Sequence, residues 1–404
     1  MRTHYKYHTS KGGLLFAALL LTISVQSQDL GSLVMEAYAN NPDIKAFELQ
    51  YQVAIEKTKE VNALPNTTME AMVLANPPEN IAMSEMAQFE VMQMFPWFKT
   101  ITARENYASS LAEAQYEDIA IAKRKLAASV SQSYYALFAN QGKQKVLVEN
   151  IALLKTYETL ALNALEVGKA SAVDVLRLQM RQNELLALKK VLEQEYLSEQ
   201  SQLNSLLNRD KNTPVLVTIE LDGLSEELPY DANNLQLHPE LLKYDKLFKS
   251  VTQSELLNQK ESAPMLGLGM NYTIMGMHKN MVMPMVSLSI PIFNNSFKSK
   301  SRQNEIKQQE IIVQKQSKLN TLEAVLDKAV KARKAARINY EIQAQNLAQA
   351  KNAEEILLKS YETGTIDFRD VLEVQELQLK FQTGQIEAMR DFQVQSTIIH
   401  YLSK

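Results

Sequence analysis

The sequence predicts a mainly α-helical protein with a small β part, assembled by internal duplication. Three observations predict this. Long stretches contain no Pro and almost no Gly, four short segments alternate in polarity, and one motif recurs after about 196 residues. Only 11 Gly and 11 Pro occur in 404 residues. Ala, Leu, Gln, Glu and Lys dominate instead, which is the make-up of long helices.

Residues 1–27 read as an export signal. Arg2, Lys6 and Lys11 form a basic start, and the 14 residues 12–25 or so are apolar. That run is too short to span a bilayer as a helix. Val25 and Ser27 suit the small-residue rule for cleavage, so the mature chain is expected to begin near Gln28. Loss of three basic residues takes the formal charge from −3 to about −6, which offers nucleic acid no footprint. The chain has no Cys, so neither a disulfide framework nor a lipid-modified cysteine anchor is expected. Beyond residue 28 no run reaches the roughly 18 apolar residues of a transmembrane helix. Membrane entry would therefore need a closed β-barrel.

The duplication shows in two motifs. Glu166, Gly168, Asp174, Val175, Leu176 and Gln179 recur at equal spacing as Glu362, Gly364, Asp370, Val371, Leu372 and Gln375. Phe95-Pro96 and Ile290-Pro291 precede the two long helical stretches at nearly the same offset. The first repeat is assigned to 28–208, a connector to 209–234, and the second repeat to 235–404. Repeats at a fixed period mark stacked units.

Each repeat reads in the same order. An opening helix follows Asn41-Pro42 or His238-Pro239 and ends near Val61 or Asn258. A β-hairpin follows, 67–94 in one repeat and 265–290 in the other. The first turns through Asn76-Pro77-Pro78-Glu79-Asn80, the second through residues 276–280. The strands are placed at 67–75, 88–94, 265–275 and 281–290 on their alternation. Helices of about 68 residues follow at 100–167 and 296–363, each roughly 100 Å long at about 1.5 Å per residue. Gly142 marks a break or a helix–helix junction in the first. Beyond a glycine tip, near 168–174 and 364–370, helices return over 172–207 and 368–402. Helices this long must pack laterally in pairs. The connector holds Pro214, Asp222-Gly223 and Pro229, with one short strand expected at 215–219.

The tips have their own chemistry. Gly168 and Gly364 can take positive φ and end a helix tightly. Asp174 and Asp370 lie early in the returning helices, where a carboxylate favours the dipole and can cap free N–H groups; Ser171 lies in the first tip. A plain helix-turn-helix cap explains these residues as well as a functional tip does. Four strands of about 8 to 11 residues suit an outer membrane, but about eight are needed to close a barrel. Copies must combine, and counting allows a dimer or a trimer.

With these motifs in place, the chain resembles the outer-membrane efflux (TolC) family across essentially its whole mature length. Gly followed six residues later by Asp-Val-Leu looks like the family's tip signature. Phe95-Pro96 and Ser289-Ile290-Pro291-Ile292-Phe293 look like its barrel-to-helix junctions, with Pro96 and Pro291 at the turn. The resemblance implies a homotrimer with a 12-stranded β-barrel continued by a periplasmic α-helical coiled-coil tunnel. It implies a passive exit duct in the outer membrane, docked through its tips to a periplasmic adaptor protein and an inner-membrane pump of the RND type. It also implies that Asp370 and Glu373 narrow the tunnel and that Tyr361 helps to close it. Ile366 stands where studied members have arginine; Arg369 is near but not equivalent.

Methionine is unevenly placed. Six of the 17 Met lie between Met69 and Met94, and seven between Met265 and Met285. Parity puts Met281, Met283 and Met285 with Ser287 and Ser289, Met92 and Met94 with Gln88 and Glu90, and Met72 with Glu70. On a water-facing lumen these thioethers would suit Cu(I) or Ag(I), as in a heavy-metal cation branch of the family. Met is equally a flexible apolar filler. His278 and His238 read as a solvated loop residue and a helix-start residue. No phosphate loop, catalytic triad, zinc spacing or cofactor motif is present in the sequence, so no enzyme is expected. A type I protein-secretion duct shares the architecture. An exported coiled-coil scaffold is the other class, distinguished by the lack of heat-modifiable migration on a gel.

Overall fold

The structure, a computed structural model, describes residues 29–73, 85–168, 171–217, 223–224, 232–276 and 279–403. The expected signal segment, the turn at 76–80 and His278 lie outside the described residues. Seven helices and four strands follow in order: α1 (Leu30–Asn40), α2 (Pro42–Glu60), β1 (Thr68–Val73), β2 (Glu85–Phe95), α3 (Thr100–Glu166), α4 (Ala172–Leu206), α5 (Pro239–Glu261), β3 (Met265–Met275), β4 (Met281–Ser289), α6 (Ser296–Glu362) and α7 (Phe368–Ser403). The expected hairpins and long helices are present, with ends that move by a few residues.

Four expectations change. A short helix, α1, precedes the opening helix; Asp29 caps it by accepting from Gly31 N, and Leu33 and Ala37 bury its inner stripe. The connector shows no strand over 215–217, and 218–222 lie outside the described residues. Val215 and Val217 instead bury against the helices. The backbone of Val215 bonds to side chains of α4: Tyr196 Oη donates to Val215 O at 2.6 Å and Val215 N to Gln200 Oε1 at 3.4 Å. A 3-10 turn at Ala232–Leu237 leads into α5. Gly142 breaks nothing: α3 runs through it, and a Cβ there would touch Ile386 of α7 at 3.4 Å. It is a close-approach point between helices.

The long helices organise the rest. In the half farther from the sheet the neighbours run α4–α3–α7–α6, and nearer the sheet α2–α3–α5–α6. The shorter helices thus stack end to end beside α3 and α6. Each joint is sealed by the cap of the incoming helix and a side-chain bond to the end of the helix before it. Asn41 accepts from Asp43 N at 3.0 Å as the α2 cap, and its Nδ2 donates to Leu206 O at 3.1 Å at the end of α4. His238 caps α5 by accepting from Glu240 N at 3.3 Å, and Glu240 takes a 2.8 Å bond from Tyr401 Oη near the end of α7.

The second joint titrates. Burial, with the charge of Arg124, pushes His238 down to about 4. Burial raises the Glu240 carboxyl, but bonds from Lys318 and Tyr401 and the charge of Lys125 outweigh it and hold the group at about 2. The folded joint therefore keeps His238 neutral, while the unfolded chain protonates it near 6.5. That stability is whole above about pH 6.5 and is lost as pH falls toward 4, at a slope of up to about 1.4 kcal/mol per pH unit. Glu240 adds a second loss only below about pH 4.5. Thermal melts between pH 7.5 and 4.5 should fall for the native chain and flatten in His238→Asn, which keeps a capping oxygen as the first repeat does. An equal fall in both would acquit the histidine.

The four strands form one antiparallel sheet in the order β1-β2-β3-β4, with a bulge between Glu85 and Ala87. Among the described residues no helix is long and apolar enough to cross a membrane. One face of the sheet carries Phe89, Val91, Leu266, Leu268, Met270, Tyr272, Val282, Val286 and Leu288, all exposed, with Val286 at 72 %. The other carries Glu70, Gln88, Glu90, Asn271, Thr273 and Ser287. β3 has 11 residues, which at about 3.4 Å each and a tilt near 45° rise about 26 Å, close to the apolar band of an outer-membrane barrel.

Candidate functional site

Two places gather the residues singled out from the sequence: the helical tips and the polar face of the sheet.

At the tips the duplication is reproduced in the glycine turns and in the glutamine clamps below them. Gly168 and Gly364 take φ of 72° and 73°. The amide of Gly168 donates to Leu165 O at 3.0 Å and that of Gly364 to Tyr361 O at 2.9 Å. Below each tip a glutamine pins the helix pair. Gln182 donates to Glu158 at 2.9 Å and Leu154 O at 3.3 Å; Gln378 donates to Glu354 at 2.7 Å and Ala350 O at 3.2 Å. The caps differ in detail. Ser171 and Asp174 form a reciprocal capping box, with Val173 N on Ser171 Oγ at 3.2 Å and Ser171 N on Asp174 Oδ2 at 3.3 Å. In the second tip Asp367 takes the Ser171 position and accepts from Arg369 N at 3.2 Å. Asp370 lies in the first turn and is exposed. Glu373, also exposed, pairs with Arg369 at 3.0 Å.

The two tips meet over a shallow cavity of about 550 Å³ lined by Gly168, Ser171, Asp174, Arg177, Tyr361, Ile366 and Phe368. Asp174 is buried, and Arg177 Nη1 stands 3.4 Å from it and 3.8 Å from Asp367 of the other tip. The guanidinium between the tips therefore comes from α4. Ile366 packs into the apolar cluster instead. Tyr361 is buried, and its phenol is pushed up by burial and by Asp174 and Asp367. Its ring lies edge-on to Phe368 with centroids 4.8 Å apart, and Tyr157 of α3 meets the same ring at 5.8 Å. Sequence reasoning passed over Arg177, Asp367 and Phe368. Asp367 was legible as the counterpart of Ser171; the other two depend on contacts between repeats.

At the junctions, Pro96 directly follows β2 and Pro291 stands two residues beyond the end of β4, leading into α3 and α6. Trp97 and Phe98 stand exposed after the first, and Phe293 after the second at 97 %. On the polar face the strand register aligns all six methionines of interest. Met72 pairs with Gln88, Met92 with Gly269 and Met94 with Gly267; Met281, Met283 and Met285 pair with Thr273, Asn271 and Gly269. Among the described residues no cluster of three His, Cys, Asp or Glu could hold a metal.

No protein-family description matches the chain, and no curated protein does. Solved structures do. CusC, studied for folding and transmembrane channel formation, is 16 % identical with a TM-score of 0.80, over 94 % of this chain and 92 % of that one. The outer membrane protein VceC of Vibrio cholerae is 15 % identical with a TM-score of 0.75, over 93 % and 96 %. The CmeC outer membrane channel of Campylobacter jejuni is 16 % identical with a TM-score of 0.74, over 92 % and 85 %. The chain has the fold of these outer-membrane channels, as the resemblance implied.

Proposed function

We propose that this chain is the outer-membrane channel of a tripartite efflux system, a passive duct made by three copies. One observation carries the reading: both layers end in free edges that only further copies can cover. Among the described residues the sheet leaves the outer edges of β1 and β4 without a partner strand, and unpaired strand edges in hydrocarbon cost several kcal/mol per group. The helical layer leaves α4 and α6 at its flanks, with Leu176, Met180, Val191, Ile306, Val313 and Ile338 exposed along them. Three copies give twelve strands and a ring of helices around a lumen. The apolar sheet face then meets lipid, and Trp97, Phe98 and Phe293 fit an interfacial aromatic girdle.

In this reading the chain is exported by its signal segment, sits in the outer membrane and extends its helices into the periplasm. The tips, with Gly168, Ser171, Asp174, Tyr361, Gly364, Asp370 and Glu373, dock a periplasmic adaptor serving an RND-type pump and narrow the lumen. A purified trimer that is heat-modifiable on a gel and conducts ions in a planar bilayer is the expected result; a monomer without conductance would reject the duct. Gly168→Val or Gly364→Val should keep the trimer but weaken adaptor engagement, read as lost efflux in a complemented deletion strain. A Cβ meets nothing within 4 Å at either site, so the cost is the positive φ alone, about 1–2 kcal/mol. Loss of the trimer would make these glycines folding residues.

A further inference from the structure

The polar sheet face contains a trough whose floor is glycine and whose banks are sulfur. Two adjacent cross-strand rows run Met92–Gly269–Met285 and Met94–Gly267–Ser287. With no side chains on β3 there, the β2 methionines fold inward over the strand. A Cβ on Gly267 would lie 2.6 Å from Met94 Sδ and 3.1 Å from Met92 Sδ, and would overlap Ser287 Oγ. Both sulfurs thus lie over one residue, no more than the sum of those two distances apart. Ser287 Oγ reaches them from the far bank, 3.8 Å from Met92 Sδ and 3.7 Å from Met94 Sδ. Met285 flanks the same floor and is half-buried.

The charge around the trough has one sign. Glu70 and Glu90 stand directly opposite each other in the next row of this face. Like charges in that position destabilise a strand pair, so folding alone gives no reason for them. No Lys, Arg or His shares the face among the described sheet residues. A cation is therefore drawn to the face, and the groups that close around the trough are thioethers. Thioether donors favour soft ions over Ca²⁺, Mg²⁺ or Zn²⁺.

We propose that this trough is a weak, exchangeable subsite for a soft monovalent cation, Cu(I) or Ag(I). Met92 and Met94 supply the thioethers, Met285 stands across the floor, and the Glu70–Glu90 pair raises the local cation concentration. Met side chains have three rotatable bonds, so two can converge on an ion and part again without moving the strands. The proposal rests on the duct reading in one respect, that the polar face is wet.

Ag(I) in chloride-free buffer is the probe, because it does not cycle redox state. Equilibrium dialysis of the full detergent-solubilised protein should show Ag(I) bound to the native chain. Met92→Leu with Met94→Leu should weaken it by about tenfold or more. Met69→Leu with Met270→Leu, on the opposite face, should leave it unchanged, and Glu70→Gln with Glu90→Gln should weaken it by a smaller factor. Silver should also shift the ¹³C-methyl resonances of Met92 and Met94 in the unmutated protein, a reading that needs no variant to fold. Native-level binding by the Met92/Met94 variant, or unshifted methyl resonances, would overturn the subsite. Conductance of the same native preparation separates the two readings: a conducting pore that ignores Ag(I) overturns the subsite alone, and no pore overturns the duct beneath it.

Discussion

Phe368→Ala should destabilise the tip region by about 3–5 kcal/mol, the range for removing a large buried aromatic. Phe368 is 0 % exposed and opens α7 directly after the second tip. Its ring is met edge-on by Tyr361, at the end of α6, and by Tyr157 of α3. One side chain thus joins the two helical hairpins as well as filling a core, and each aromatic pair adds about 0.5–1.5 kcal/mol beyond area burial. The loss should be local. Hydrogen exchange over residues 360–372 should accelerate strongly while the α2–α5 half keeps its protection. Phe368→Leu, which refills most of the volume, should recover most of the difference. Unchanged exchange at the tips in the alanine variant would show that Arg177 and the glutamine clamps hold the hairpins together unaided.

The second large effect belongs to the sheet. Met270 is central on β3, pairs with Val91 and Pro284, and is 56 % exposed. On a water-facing surface an arginine there would cost little. Against lipid near the bilayer midplane it costs about 2–4 kcal/mol per copy, and a ring of three copies bears it three times. Met270→Arg should therefore abolish the heat-modifiable trimer. Gln88→Arg, on the opposite face, should leave assembly intact. Equal tolerance of the two would mean that the faces have been assigned the wrong way round.

Much of the fold was legible because it is carried by local periodicity and punctuation. Pro42, Pro239, Gly168 and Gly364 mark helix ends, and the polarity of 281–290 fixes which residues share a face. The errors have physical causes. Gly142 reads equally as a break or a helix–helix junction, and only Ile386, 244 residues away, decides for the junction. Val215 and Val217 alternate like a strand, yet both bury against the helices and the backbone of Val215 is satisfied by Tyr196 and Gln200. The methionine bias was visible, but its trough was not, since only the register places Gly269 between Met92 and Met285 and Gly267 between Met94 and Ser287. Arg177 was unreadable because what it does depends on Asp367 lying beside it.

The repetition of the glycine turns and glutamine clamps in both halves of the chain has a geometric consequence. In the trimer proposed above, three copies of a doubled chain would make a ring of six similar units with seams of two kinds. Within a chain the seam is stitched: Gln375 donates to Asn150 at 2.7 Å, Asn150 donates to Gln382 at 3.0 Å, and Lys143 pairs with Glu387. Between chains, where α4 would meet α6, no peptide link holds the units together. Any dilation of such a ring follows threefold rather than sixfold symmetry, because the six units are alike in shape and unlike in what binds each to the next.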